Sequence, residues 1–241
     1  MLKTKKQTPG EYASCLKDVL AGNLYSVILF GSGSGAEYIE GKSDYNLLVI
    51  VDRWSMLNLN QVTKVTGEWV KEGNPPPLLY TLDRLQASAE YFPIEMLDMK
   101  QNYKVVLGED LLKSIDVKSS YLRLITGREM KVLRIQLRQG YIFAQRNDKK
   151  IAELMAKTIA TCLILFKAAL RLYTDNIPAR KLDVLPSIAA KVKGVDVEAL
   201  LTIEKLNSVE IDSSDINSQQ LFERYMNSIL AVGDAVDAGL K

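Results

Sequence analysis

Two apolar runs constrain this chain more than anything else in it. Leu24 to Phe30 and Tyr45 to Val51 are apolar nearly throughout. A strand with one wet face alternates; a strand with no alternation is buried on both sides. Both runs therefore belong at the centre of a sheet that is covered on two faces. The first ends in Gly31-Ser32-Gly33-Ser34-Gly35, and a short connector leads to Asp44-Tyr45-Asn46 at the start of the second.

The elements around these strands are weaker in signal but ordered. Glu11 to about Ala21 reads as a helix with Tyr12, Leu16, Val19 and Leu20 on one face. Ser34 to Glu40 is a candidate for a short helical turn. Ser55 can cap a helix that runs to about Glu72, where Gly73-Asn74-Pro75-Pro76-Pro77 stops it. Leu78 to Thr81 reads as a short strand and Leu82 to Ala89 as a short helix. Pro93 to Met99 reads as a strand with its proline in the first position, where a missing N–H removes no ladder bond. Lys104 to Leu107 reads as an edge strand closed by Gly108-Glu109-Asp110.

Beyond about Ser119 helical periods replace the strands. Helices are expected over Ser120 to Arg146, Lys150 to Tyr173, Leu182 to Val192, Val197 to Asn207 and Ser218 to Ala238. The expected organisation is a flexible tail over residues 1–9, an α+β domain with a mixed sheet over 10–117, and an all-α helical bundle of antiparallel helices over 118–241.

Composition removes whole classes of chemistry. The 241 residues contain no histidine. That excludes Ser-His and Cys-His triads, imidazole acid–base work and His-ligated zinc. Cys15 and Cys162 stand alone, without the paired spacing of a zinc or redox site. What remains is carboxylate, lysine, tyrosine or a metal held by oxygen, and oxygen ligation suits magnesium. The net charge of +2 offers no global attraction for nucleic acid. The most apolar stretch, Ile159 to Phe166, is flanked by Lys157 and Lys167 and falls far short of the roughly 20 residues that span a bilayer. No basic-then-apolar leader opens the chain, so a cytoplasmic protein without membrane partners is expected.

Three glycine patterns compete around Gly31. Ala36 to Ser43 matches a relaxed phosphate-loop pattern, but a strand rather than a helix follows its Lys42-Ser43 pair. Gly31, Gly33 and Gly35 match dinucleotide-binding spacing in part, yet the next strand arrives too soon for a crossover helix. The third pattern is a Gly-Ser turn followed by a strand that opens on a carboxylate. Positions 44 and 46 lie on the same side of a strand and can face one site.

On these residues, Phe30-Gly31-Ser32 followed by Ser43-Asp44-Tyr45-Asn46, the chain resembles the DNA polymerase β-like nucleotidyltransferase superfamily. The trailing helices resemble the helical domain of its kanamycin-nucleotidyltransferase-like bacterial branch. The likeness covers about residues 10 to 115 well and the remainder loosely. It implies nucleoside triphosphate binding with one or two Mg²⁺ ions and transfer of a nucleoside monophosphate to a hydroxyl on a small molecule, protein or RNA. It further implies phosphate contacts at Gly31, Ser32 and Ser43, and metal ligation by Asp44 and a third carboxylate from a later strand. Phe92 to Asp98 fits that strand. Glu95 is preferred there and Asp98 is the alternative, because residues three apart face opposite sides of a strand.

Asn46 departs from the pattern, which carries a second carboxylate there. An amide oxygen can ligate a metal but cannot offset the repulsion between two divalent cations. A catalytically impaired nucleotide sensor or protein-interaction module, toxin–antitoxin-like for example, is therefore the competing expectation. A helical interaction protein with a vestigial sheet is a third. Asp44, Asn46 and Glu95 are the candidate catalytic residues. Arg128 and Lys131, on a helix that also carries Arg123, Arg134 and Arg138, are candidates to hold a triphosphate, against the simpler reading of a solvated basic face. Tyr103, Lys104, Tyr121 and Tyr141 are candidates to contact a base. Oligomeric state stays open, a homodimer through the helical domain included.

Overall fold

The computed structural model describes residues 7–34 and 44–239. The chain divides into two compact units, the second beginning at Ser119.

The first unit is built on a four-stranded mixed sheet of β1 (Leu24–Phe30), β2 (Asn46–Val51), β3 (Leu78–Thr81) and β4 (Tyr103–Gly108). The order across the sheet is β3-β2-β1-β4. β1 runs antiparallel to both β2 and β4, and β2 runs parallel to β3. The two nearly unbroken apolar runs thus take the two central places, as their lack of alternation requires. Helix α1 (Pro9–Leu20) and α2 (Met56–Lys71) cover one face. There Val27, Leu29, Leu47, Val49 and Val51 pack with Tyr12, Leu16, Val62 and Trp69. On the other face Ile28, Leu48 and Ile50 pack with Leu85 and Ala89 of α3 (Leu82–Tyr91) and with Met96 and Met99 of α4 (Pro93–Gln101). Full burial of each such side chain stabilises the fold by about 1.5–3 kcal/mol.

Local chemistry explains where the helices begin. Thr8 Oγ1 accepts the Glu11 N–H while the Glu11 carboxylate accepts the Thr8 N–H, a reciprocal cap, and Pro9 takes the first helical position. The helix expected from Glu11 so starts two residues earlier. The Gln7 N–H reaches the Glu72 carboxylate at 2.8 Å, which joins Gln7 to the folded unit. Ser55 caps α2 through the Asn58 N–H at 3.2 Å. The turn expected over Ser34 to Glu40 lies mostly outside the described residues; its visible start is a 3₁₀ turn over Gly31–Ser34.

One expected element is overturned. Pro93 to Met99 is not a strand but most of α4. Proline suits the first turn of a helix as well as the first residue of a strand. The apolar residues Ile94, Met96 and Met99 are all buried, so the segment carries no clean period of either kind. The consequence reaches Glu95 and Asp98. On a helix, residues three apart are neighbours rather than opposites.

The second unit is helical: α5 (Ser119–Ala144), α6 (Asp148–Leu170), α7 (Val184–Ala189), α8 (Val197–Asn207) and α9 (Ser218–Ala238). The apolar stretch around Cys162 is the middle of α6, which α5, α7, α8 and α9 all contact. Its buried residues Ile151, Met155, Ile159, Cys162, Phe166 and Leu170 repeat at helical spacing. Among the described residues no helix is long and apolar enough to cross a membrane. The whole is an α+β chain of a mixed sheet with helices on both faces, followed by a helical bundle.

Candidate functional site

The candidate site lies at the end of the sheet where β1 gives way to Gly31. Gly31 has φ +75°, a backbone conformation that a Cβ disfavours, so the chain can turn sharply off β1 only with glycine there. Two hydrogen bonds fix the turn. The Gly31 N–H donates to the Asn102 carbonyl at 3.0 Å, and Ser34 Oγ donates to the Gly31 carbonyl at 2.8 Å. Asn102 joins α4 to β4, so the turn is tied to the helix that carries Glu95 and Asp98, and α4 itself contacts the turn.

Asn46 opens β2 opposite Phe30. It shares strand parity with Leu48 and Ile50, which places it on the face that α3 and α4 cover. A Cβ built on Gly31 would stand 3.8 Å from Asn46 Nδ2, so the turn passes directly over the Asn46 amide. Asp44 precedes the strand and is exposed. Its carbonyl oxygen packs against Gly33, where a Cβ would come within 3.0 Å. The Gly-Ser turn and the Asp44–Asn46 segment therefore meet, as their pattern in the sequence suggests. Ser43 lies outside the described residues, and of Ser32 only the backbone is described.

Tyr45, between the two polar positions, turns the other way. Its ring stacks on Trp69 at 5.9 Å, and Trp69 stacks on Tyr12 at 4.7 Å. Its N–H donates to Asn74 Oδ1 at 3.1 Å. Sequence reasoning took Asn74 only as part of a helix stop; a turn asparagine between glycine and proline gives no sign that its side chain reaches another strand. On this α1/α2 face, Gly10, Leu29, Gly33, Ser34, Tyr45 and Lys104 line a cavity of about 580 Å³.

The two candidates for a third carboxylate, Glu95 and Asp98, lie on a helix rather than a strand. Glu95 is exposed in the first turn of α4, and Asp98 is half-buried one turn on. Among the described residues no cluster of three carboxylate or cysteine side chains could hold a metal ion. Among the described residues, the segment beside the turn carries one carboxylate residue, Asp44, and one amide, Asn46. That set fits a magnesium ion that arrives on phosphates and keeps most of its waters, which needs only one or two carboxylates. It does not fit a pair of ions bridged by protein carboxylates.

Several other sequence candidates are engaged within their own units. Tyr103 Oη donates to Asp110 at 3.0 Å; partial burial, and then this hydrogen bond, raise the pKa of the phenol. In the helical unit Arg128 pairs with Glu129, Lys131 with Asp237 at 2.7 Å and Arg134 with Asp234 at 3.6 Å. Arg123 donates to the Val236 carbonyl at 2.9 Å. Arg123, Lys131 and Arg134 of α5 are thus engaged by α9, and Arg128 by its own helix. Tyr141 stacks on Phe222 at 4.7 Å, beside a cleft of about 940 Å³ that Asp148, Gln220 and Glu223 also line.

No family model matches the chain, and no curated protein matches it in sequence. Among solved structures it is similar to spectinomycin adenyltransferase AAD(9) from Enterococcus faecialis, a crystal structure with ATP and spectinomycin. The TM-score is 0.52 at 16% sequence identity, over 92% of this chain and 99% of that one. At that identity the likeness speaks for architecture: this chain has a nucleotidyltransferase fold with a C-terminal helical domain.

Proposed function

We propose that the protein binds a magnesium nucleoside triphosphate at the Gly31–Ser34 turn and transfers the nucleoside monophosphate to a hydroxyl acceptor. The observation that carries this reading is the passage of the Gly31 turn over the Asn46 amide, with Asp44 against Gly33 and α4 against the same turn. The fold shared with a spectinomycin adenyltransferase that was solved with ATP and spectinomycin supports it.

In this reading the phosphates are met by the turn from Ser32 onward, because the Gly31 N–H is already bonded to Asn102. Ser43 lies beside Asp44 and is the further phosphate candidate. Magnesium supplies neutralisation of the phosphate charge when bound. Asp44 provides the one anionic ligand and Asn46 a neutral oxygen. The acceptor oxygen forms a bond to the α-phosphorus, the bond to pyrophosphate breaks, and the acceptor proton passes to a carboxylate. Glu95 suits that last role better than Asp98, because it is exposed while Asp98 is half-buried. An anion drawn to Arg128 and Lys131 has to compete with Glu129 and Asp237, so these cations are secondary.

A second reading is favoured by Asn46 itself: a module that binds the nucleotide without turning it over. Calorimetric titration with non-hydrolysable analogues of the four nucleoside triphosphates, with and without Mg²⁺, tests both. Magnesium-dependent binding that disappears in Asp44→Ala is the expected result; no binding of any of the four nucleotides overturns both readings. Release of pyrophosphate by the wild-type protein supports the enzyme, and release by Asn46→Asp alone supports the non-catalytic module.

A further inference from the structure

We propose that Asn74 is a positioning residue for the nucleotide site, holding the Asp44–Asn46 segment in register from outside the sheet. The inference rests on the reading of that segment given above.

The β1–β2 ladder ends at the Phe30–Asn46 pair. Tyr45 and Asp44 lie beyond it, so the sheet itself does not fix the carboxylate. Asn74 supplies a tie from outside the sheet. It is 8% exposed, in the loop between α2 and β3, and its Oδ1 accepts the Tyr45 N–H across 29 positions of sequence. The loop cannot drift, because the Asn74 N–H donates to the Trp69 carbonyl at 3.3 Å and Trp69 Nε1 donates to the Pro75 carbonyl at 2.9 Å. Trp69 is fully buried and carries the Tyr45 ring on its face. Tyr45 is thus held by its N–H and by its ring, and both of these anchors lead to the end of α2.

A segment held at its middle residue has fixed flanks. With Tyr45 turned toward Trp69, Asn46 is committed to the opposite face under Gly31, and the Asp44 carbonyl is set against Gly33. The arrangement costs the burial of an amide, which is unfavourable unless the amide is bonded. A loop whose only task were to end α2 would not need a buried side chain that reaches a different strand. Removing the Asn74 amide leaves the core strands paired and the Tyr45 ring stacked but loosens the Asp44–Tyr45 backbone, which weakens the grip on a metal-bound phosphate and not the fold as a whole.

The test compares Asn74→Ala with Val62→Ala, a core truncation on α2, in the full chain. Amide exchange followed by NMR is read without ligand. The Tyr45 amide is expected to exchange about tenfold faster in Asn74→Ala while Leu48 and Val49 keep their protection; Val62→Ala leaves the ratio of Tyr45 to Leu48 unchanged. Titration with the ATP analogue is expected to show the magnesium-dependent part of the affinity falling about tenfold in Asn74→Ala, with metal-free binding unaltered and Val62→Ala like wild type. Unchanged Tyr45 exchange, or equal loss of the magnesium effect in both variants, overturns the proposal. Wild-type protein that binds no nucleotide overturns the proposed function, and also the site role of Asn74, even if Tyr45 exchange responds. Should Asn74→Ala not fold, Asn74→Asp retains the acceptor oxygen: a protected Tyr45 amide there supports the proposal, and an unprotected one overturns it.

Discussion

A Cβ added to Gly33 would lie 3.0 Å from the backbone carbonyl oxygen of Asp44 and 3.2 Å from the ring of Tyr45. Neither neighbour gives way easily, since the Tyr45 ring is stacked on a buried Trp69 and its N–H is bonded to Asn74. Gly33→Ala is therefore expected to destabilise the first unit by about 1–3 kcal/mol, the usual cost of overpacking. It should also weaken magnesium-dependent nucleotide binding by shifting Asp44. Gly10 lines the same cavity, and a Cβ there meets nothing within 4 Å. Gly10→Ala is the control and should leave binding intact. Denaturation and calorimetry on the two variants check the pair; equal behaviour would show that the Gly33–Asp44 contact does not matter.

How much of this was readable beforehand follows from which forces leave a pattern. β1 and β2 were legible as central strands because continuous apolar runs have few other uses. α8 and α9 were legible to their end residues, where Asp196 and Asn217 accept the third N–H of the following helix. α4 was not, because Pro93 satisfies two rules at once and the residues after it are buried on several sides. The meeting of Gly31, Asp44 and Asn46 was foreshadowed by their order along the chain. The contributions of Asn102 and Asn74 were not, since one acts through a main-chain carbonyl and the other through an amide in a turn. The pairing of Lys131 and Arg134 with α9 was equally hidden: a basic stripe looks the same whether its partner is phosphate or Asp237.

Trp69 concentrates the packing of the α1/α2 face. It is fully buried, stacked by Tyr12 and Tyr45 and hydrogen-bonded to Pro75. Trp69→Ala is expected to cost about 3–5 kcal/mol, as for other large core truncations. Because the helical unit has its own core, the loss should appear in one of two unfolding transitions when chemical denaturation is followed by circular dichroism. A uniform shift of a single transition would mean that the two units unfold together.

Arg224 makes the acid stability of the helical unit depend on Asp196. Its guanidinium donates to both Asp196 oxygens, at 2.7 and 3.0 Å, and to Glu198 at 2.7 Å. The hydrogen bonds from Arg224 hold the Asp196 carboxyl below its ordinary value. A carboxyl depressed in the folded state adds stability that is present above its unfolded pKa of about 3.9 and is lost as pH falls through the folded value. Asp196→Asn keeps an acceptor for the Ala199 N–H but removes the charge. The variant should be less stable than wild type at pH 7, and the gap should close as pH falls below about 4. Urea titrations across that range check it; a gap independent of pH would remove the Arg224–Asp196 pair as its cause.

The two cysteines should report separately on the two units. Cys162 is fully buried in α6, and that burial pushes its thiol far above the ordinary range, with Tyr225 and Thr158 beside it. Cys15 is only half-buried on α1, with Gln7 Nε2 at 3.9 Å from its sulfur. Since the thiolate is the reactive species, a native sample should titrate about one thiol per chain with a disulfide reagent, and a denatured sample both. Labelling of Cys162 in the native state then requires the helical unit to open, so its rate measures that opening. Modification of Cys162 as fast as Cys15 under native conditions would contradict a packed α6 at the centre of the bundle. Mass spectrometry of the labelled peptides separates the two sites.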